Sequence, residues 1–386
     1  MLIRGCKGNQ VNYVEAMSKQ KTLGVSLISS YRVDGVGQSH RLEEFSAHWA
    51  ETPMADRKVS PDLYLFMESE VEHCCQKLGI QVNSRVSALQ FLAELAPDQM
   101  ELIIDAILID SYPPVAITTF LPEISIPNYR PCAKLVDPAI SGLFQFALRV
   151  GLRTGNTPVV QMVAGNVIDG IVAQPRARED KKESKKEDHK IEYQFYVKRT
   201  VGLDPFERIL TRLQKCLEEL EQYVAKNPEL QTAFSQLRIA FEQEPGPLYS
   251  LADEQGLLDL NQLIEGHSCS IVRQKIGFNL DIAHWWLEGI EPSFLEQHAT
   301  LKQRIFHSHI SGHSRRAHFG DISLAAMTAE GKASFCEWLQ FLTTLKGQDG
   351  YSGFVSLEYE AARDTHVIVE SVSELFQMLD SIAAST

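Results

Sequence analysis

Hydrophobic positions in the second half of the chain gather into short runs separated by longer amphipathic stretches. Leu237–Phe241, Ile276–Leu280, Ile305–His309 and Phe354–Leu357 read as strands, and the segments between them, including Gly331 to Leu345, read as helices. Strand–helix alternation with near-continuous apolar strands predicts a parallel sheet covered on both faces. One helix is marked with particular clarity. Asp204 is placed to cap it, Pro205 suits its first position and Glu207 completes a capping box. Its apolar stripe runs through Phe206, Ile209, Leu210, Leu213, Leu217, Leu220 and Val224, and Asn227-Pro228 stops it.

The first half carries a weaker pattern. Gly24–Tyr31 reads as the first strand, and Val115–Leu121 and Pro158–Ala164 as further ones. Asp62 to Asp110 has mainly helical spacing, interrupted by a candidate second strand at Gly79–Asn83. Ile191–Val197 alternates and reads as the strand that feeds the Asp204 helix. About eight strands in all favour a closed (β/α)8 TIM barrel of the α/β class over an open sheet. Its N-terminal half is elaborated, and residues 175–190, nearly all charged with acids and bases interleaved, read as a flexible, solvated surface insertion. Residues 1–386 form a single barrel domain on this reading. Neither a glycine-rich dinucleotide fingerprint nor a phosphate-binding P-loop is present in the sequence.

Composition narrows the classes. A formal charge of -13 argues against broad nucleic-acid binding, which needs a basic face. The odd count of 7 cysteines, with no C-x-x-C spacing, suits reduced thiols in a cytoplasmic protein. The N-terminal run Met1–Gly8 lacks a signal-peptide pattern, and no run approaches the length of a membrane-spanning helix. A small-molecule substrate, no nucleic acid and no membrane are therefore expected. Trp285 and Trp286 either line the pocket or fill a contact in a homodimer.

Chemistry concentrates at strand ends. Glu242, Asp281, His309 and Glu358 each follow an apolar run, and in a barrel the C-terminal strand ends face the mouth. Three carboxylates and one imidazole suit a divalent ion such as Mn, Mg, Zn or Co. Asp281-Ile-Ala-His284 places a second imidazole nearby, which either faces the pocket or packs with the adjacent tryptophans. His307 and His309 share one side of their strand, and His309, nearer its end, is the better ligand. The segment from His313 to Asp321 holds Arg315, Arg316 and His318, groups able to bind an anion or a hydroxylated substrate.

Asp281-x-x-His284, the His309 strand followed by Arg315, and Leu357-Glu358 resemble the xylose isomerase-like TIM barrel superfamily over roughly residues 190–365. That group includes sugar phosphate isomerases and epimerases, ketose 3-epimerases and endonuclease IV enzymes. The resemblance implies one metal held by Glu242, Asp281, His309 and Glu358, with substrate held by His284 and by Arg315, six residues after the histidine. His318 matches a late zinc-binding histidine of the endonuclease branch, whereas Gln161-Met162-Val163 stands where that branch has an earlier histidine. Glu242-Gln-Glu244-Pro-Gly246 is also similar to a run in the Ebo-cluster metabolite-traffic proteins. The candidate substrate-binding set is thus His284, Arg315, His318 and Glu244.

The leading expectation is a metal-dependent isomerase or epimerase of a small sugar or polyol-like carbonyl compound, working through an enediolate, with Glu242 and Glu358 as the acid and base. The alternatives are a metal-dependent hydrolase or phosphodiesterase, with His313 and His318 on a second ion, and a metabolite-binding protein with a degenerate site.

Overall fold

Eight parallel strands close on themselves: β1 (Gly24–Ser29), β2 (Val59–Leu65), β3 (Ala116–Thr119), β4 (Val159–Val163), β7 (Ile239–Glu242), β8 (Ile276–Asp281), β9 (Ile305–Ile310) and β10 (Phe354–Leu357). β10 pairs with β1, and β1 with β2, which seals the ring. This computed structural model describes residues 22–29, 42–65, 70–81, 92–110, 112–126, 133–165, 168–175, 193–199, 204–246, 249–313, 322–358 and 365–385. Helices between the strands form the outer layer, so the architecture is a (β/α)8 barrel.

The strands of the second half fall where the apolar runs put them. The Asp204 helix spans Asp204–Lys226, and all seven residues of its expected stripe are buried. Ala329–Leu345 is capped by Thr328, whose hydroxyl accepts the Gly331 N–H at 3.2 Å.

Two expectations are corrected in the first half. Gly79–Asn83 holds no second strand in its described part. Gly79 has φ +69° and Ile80 N–H bonds back to the Cys75 carbonyl, which is how a helix ends. The true second strand is β2, hidden in the sequence because Pro61 and Asp62 interrupt its apolar run. Ile191–Val197 was expected to feed the barrel. Its described part instead belongs to β6 (Tyr193–Arg199), which pairs antiparallel with β5 (Ile168–Pro175) in a separate two-stranded sheet. Alternation suits an antiparallel ribbon, whereas parallel barrel strands, covered on both faces, are near-continuously apolar. Residues 176–190 of the charged insertion lie outside the described residues.

Contrary to the sequence expectation, one helical segment among the described residues, Lys134–Thr154, is long and apolar enough to cross a membrane; 67 % of its apolar window is buried in the fold. Trp285 neither lines a pocket nor offers a contact surface. It is fully buried, edge-on to Trp338 with centroids 5.8 Å apart. The described cysteines are all free thiols.

The barrel interior is layered. A small apolar floor is built by Ala116, Val159, Ala240 and Phe306. Above it the interior becomes polar, with Ser26, Asp62, Thr118, Gln161, Asn279, His307 and Ser356 all buried. The pairing of β8 with β9 is irregular between Phe278 and Asn279: Phe278 lies opposite Ile305, and Asn279 opposite His307. Phe306 is the extra residue of a bulge, which lets Phe306 and His307 both enter the interior although adjacent in sequence.

Candidate metal centre

At the C-terminal ends of β7, β8, β9 and β10 the ligand atoms of Glu242, Asp281, His309 and Glu358 all lie within 4.8 Å of one another, and all four residues are buried. His309 is the hub. Its Nδ1 is 3.2 Å from Glu242 Oε1 and 3.2 Å from Glu358 Oε2. Burial disfavours the charged ring, but the Glu242 charge and hydrogen bonds to Asp62, Glu242 and Glu358 outweigh it and hold the His309 pKa well above the usual imidazole value.

Asp281 ends β8 and also caps the short helix Ile282–Leu287. Its Oδ1 accepts the His284 N–H at 2.9 Å. Its Oδ2 is buried and has no hydrogen-bond partner among the described residues. A buried carboxylate oxygen left without a donor is costly unless a cation meets it. Hard oxygen ligands with one imidazole form a donor set that a divalent ion accepts. The residues present therefore fit such an ion.

The same strand-to-helix turn brings His284 into the site. Its Nδ1 lies 3.0 Å from the Gln243 carbonyl oxygen and 3.9 Å from Glu242 Oε1. Donation from Nδ1 to that carbonyl leaves Nε2 unprotonated in the neutral ring. Burial again opposes the charged form, yet Asp281, Glu244, Glu242 and Glu358 raise its pKa well above the ordinary value. Glu244 stands in the loop after β7, where its backbone N–H bonds to the Leu251 carbonyl at 3.0 Å. Arg315 and His318 lie outside the described residues. Gly312 and Ile322, in the described residues on either side, are joined by paired backbone bonds 2.9 and 3.0 Å long.

Two further residues, to which the sequence assigned no role there, join the site. The Gln161 amide donates to Glu242 Oε2, so an uncharged donor stands on the strand where the endonuclease pattern has a histidine. Asp62, on β2, places Oδ2 3.2 Å from His309 Nε2 and 3.2 Å from His307 Nε2, while Oδ1 accepts the Thr118 hydroxyl at 2.7 Å. Burial works against its charge, but the hydrogen bonds and charges of His307 and His309 hold this carboxyl well below the usual carboxylate range. The only sequence signal was an acidic residue directly ahead of Leu63-Tyr64-Leu65. His307 lies deeper than His309, bonded to Ser352 and Ser356 at 2.8 Å each.

No family model and no curated protein matches the sequence. Solved structures do match in fold. A D-tagatose 3-epimerase-like protein aligns over 94 % of this chain and 99 % of its own, at 14 % identity and a TM-score of 0.51. The chain shares the closed parallel-barrel fold of that protein. A xylose isomerase-like TIM barrel protein from Mycobacterium smegmatis, in complex with magnesium, aligns over 75 % of this chain and 81 % of that one at 14 % identity and a TM-score of 0.43. A protein from Anabaena variabilis described as a sugar phosphate isomerase/epimerase covers 81 % and 91 %, at 12 % identity and a TM-score of 0.46. At these identities the likeness is one of fold.

Proposed function

We propose that the chain is a divalent-metal-dependent isomerase or epimerase acting on a small polyhydroxylated carbonyl compound. The observation that carries this reading is the convergence of Glu242, Asp281, His309 and Glu358 at the barrel mouth with Asp281 Oδ2 unpartnered. The fold shared with a D-tagatose 3-epimerase-like protein agrees with it.

An ion held by these four residues would supply Lewis-acid polarisation of adjacent carbonyl and hydroxyl oxygens, making the C–H between them acidic. β10 and β7 flank the pair β9–β8 in the barrel wall, so Glu358 and Glu242 enter the site from opposite sides. One carboxylate takes the carbon-bound proton from one face of the substrate. The other, entering protonated, returns a proton to the other face or to the neighbouring oxygen. Gln161 steadies this work by holding Glu242 Oε2, which leaves Oε1 toward the centre of the site. His284, anchored through Nδ1 on the Gln243 carbonyl, presents Nε2 to a substrate oxygen.

A two-ion hydrolase is less well supported. His313 joins neither ligand group among the described residues. The deciding experiment incubates the Mn2+-loaded protein with a panel of ketoses, aldoses and their phosphates in D2O. Deuterium incorporation next to the carbonyl is expected for at least one member. Hydrolysis of a phosphodiester without any such exchange would reject the isomerase reading.

A further inference from the structure

Below the candidate metal centre the interior holds a second group of metal-type ligands, Asp62, His307 and His309. Its bonding differs from that of the upper group. Asp62 Oδ1 takes the Thr118 hydroxyl, and Oδ2 lies 3.2 Å from each of two imidazole nitrogens. His307 has Ser352 on Nδ1 and Ser356 on Nε2, and Ser356 is tied in turn to Ser26 at 2.6 Å. Every ring nitrogen and carboxylate oxygen of this group has a partner, so nothing in it calls for a cation. Asp281 Oδ2, in the upper group, has none.

The two groups meet in one ring. His309 turns Nδ1 to Glu242 and Glu358 and Nε2 to Asp62, with the Thr118 hydroxyl also 3.3 Å from Nε2. A carboxylate can only accept, so the hydrogen on the Asp62 side belongs to Nε2 of the imidazole. Nδ1 faces the Glu242 and Glu358 carboxylates in the same way, so the ring without an ion carries a hydrogen on each nitrogen. An ion displaces the one on Nδ1, the ring atom free to bind it while Asp62 keeps Nε2 protonated. A carboxylate behind a metal-bound histidine fixes the ring's tautomer and angle and raises its basicity.

We propose that Asp62 is the positioning residue of the centre: it holds His309 in the Nε2–H form with Nδ1 presented to the ion. Asp62 reaches the ring from β2, across the barrel interior from β9, so its effect on the ion passes entirely through His309. The inference rests on the metal-centre reading above.

The test uses the full chain. In Asp62→Asn the side-chain oxygen can still accept from Thr118, but the new amide offers N–H to His309 Nε2 and drives the ring proton to Nδ1, where it blocks the ion. Mn2+ affinity measured by calorimetry should fall by about 10- to 100-fold, the usual loss on removing such a partner. Thr118→Val disturbs the same buried network but keeps the carboxylate, and its Mn2+ affinity should stay near that of the wild type. The ring 15N shifts of His309 in Zn2+-loaded, histidine-labelled wild type should report protonated Nε2 and unprotonated Nδ1. That measurement decides the matter should Asp62→Asn fail to fold. Wild-type protein that binds no Mn2+ would remove the metal-centre reading and this inference together. Wild type and Asp62→Asn binding Mn2+ equally, or a protonated Nδ1 in the Zn2+-loaded wild type, would overturn the role of Asp62 alone.

Discussion

Glu242 Oε1 lies 3.2 Å from Nδ1 of His309, although β7 and β9 are separated in the barrel wall by β8. The contact crosses the mouth of the barrel, so both side chains point to its axis. With Glu358 on the far side at the same distance from Nδ1, the imidazole is bracketed by two carboxylates. Glu358→Gln keeps the shape of the side chain and removes its ability to take a proton. Turnover of any substrate found by deuterium exchange should fall by at least about 10²-fold, within the usual range for a general base. Far-ultraviolet circular dichroism should be unchanged, and normal turnover would exclude Glu358 as a base.

Metal removal should be visible in stability. Ion binding to the folded chain alone stabilises it by about 2.7 kcal/mol at a free concentration 100 times the dissociation constant. Mn2+ should therefore raise the thermal midpoint, and EDTA should reverse the rise. Asp281→Asn retains an oxygen for the His284 N–H but loses the unpartnered anionic oxygen. Without metal this variant should melt no lower than wild type, and Mn2+ should no longer shift its midpoint. A full Mn2+ shift in Asp281→Asn would count against Asp281 as a ligand.

Lys275 gives a pH dependence away from the site. It is 5 % exposed, donates to the Phe234 carbonyl and sits 4.3 Å over the Phe234 ring. Burial first, then the Arg238 charge, lowers its pKa from 10.5 to about 8. Between those values the unfolded chain binds the proton more tightly than the folded one, so stability contributed here rises with pH from about 8 to 10.5. The total is about 3 kcal/mol at 1.36 kcal/mol per unit. Lys275→Met should flatten this rise, measured as the difference in urea midpoint between the two ends of the window. An unchanged slope would show that Lys275 is not its source.

Gly277 is a packing requirement. A Cβ there would fall against the Arg304 carbonyl oxygen and the ring carbons of Phe306. Gly277→Ala should cost about 1–3 kcal/mol through displacement of β9. Denaturation midpoints would register the loss, and a neutral outcome would mean the floor of the barrel can yield.

What was legible in the sequence follows from how each strand is buried. β7, β8, β9 and β10 are apolar runs ended by a reactive side chain, and that pattern located all four candidate ligands. β2 carries Pro61 and Asp62 in its middle, because its interior face meets His307 and His309 rather than another apolar layer. Local periodicity cannot see a partner 245 residues away. Gln161 was noticed only for not being a histidine; its bond to Glu242 requires the closed barrel. The hairpin of β5 and β6 escaped because a single alternating run does not state which sheet it joins.

The bulge at Phe306 separates two demands on one strand. Without the inserted residue, β9 would still set His307 opposite Asn279 and His309 opposite Asp281, but it would contribute no aromatic ring to the floor. The plug at one end of the barrel and the chemistry at the other are thus written in different registers of the same strand. A side chain exchanged at position 306 changes the floor, while the register of both histidines stays set by Asn279 and Asp281.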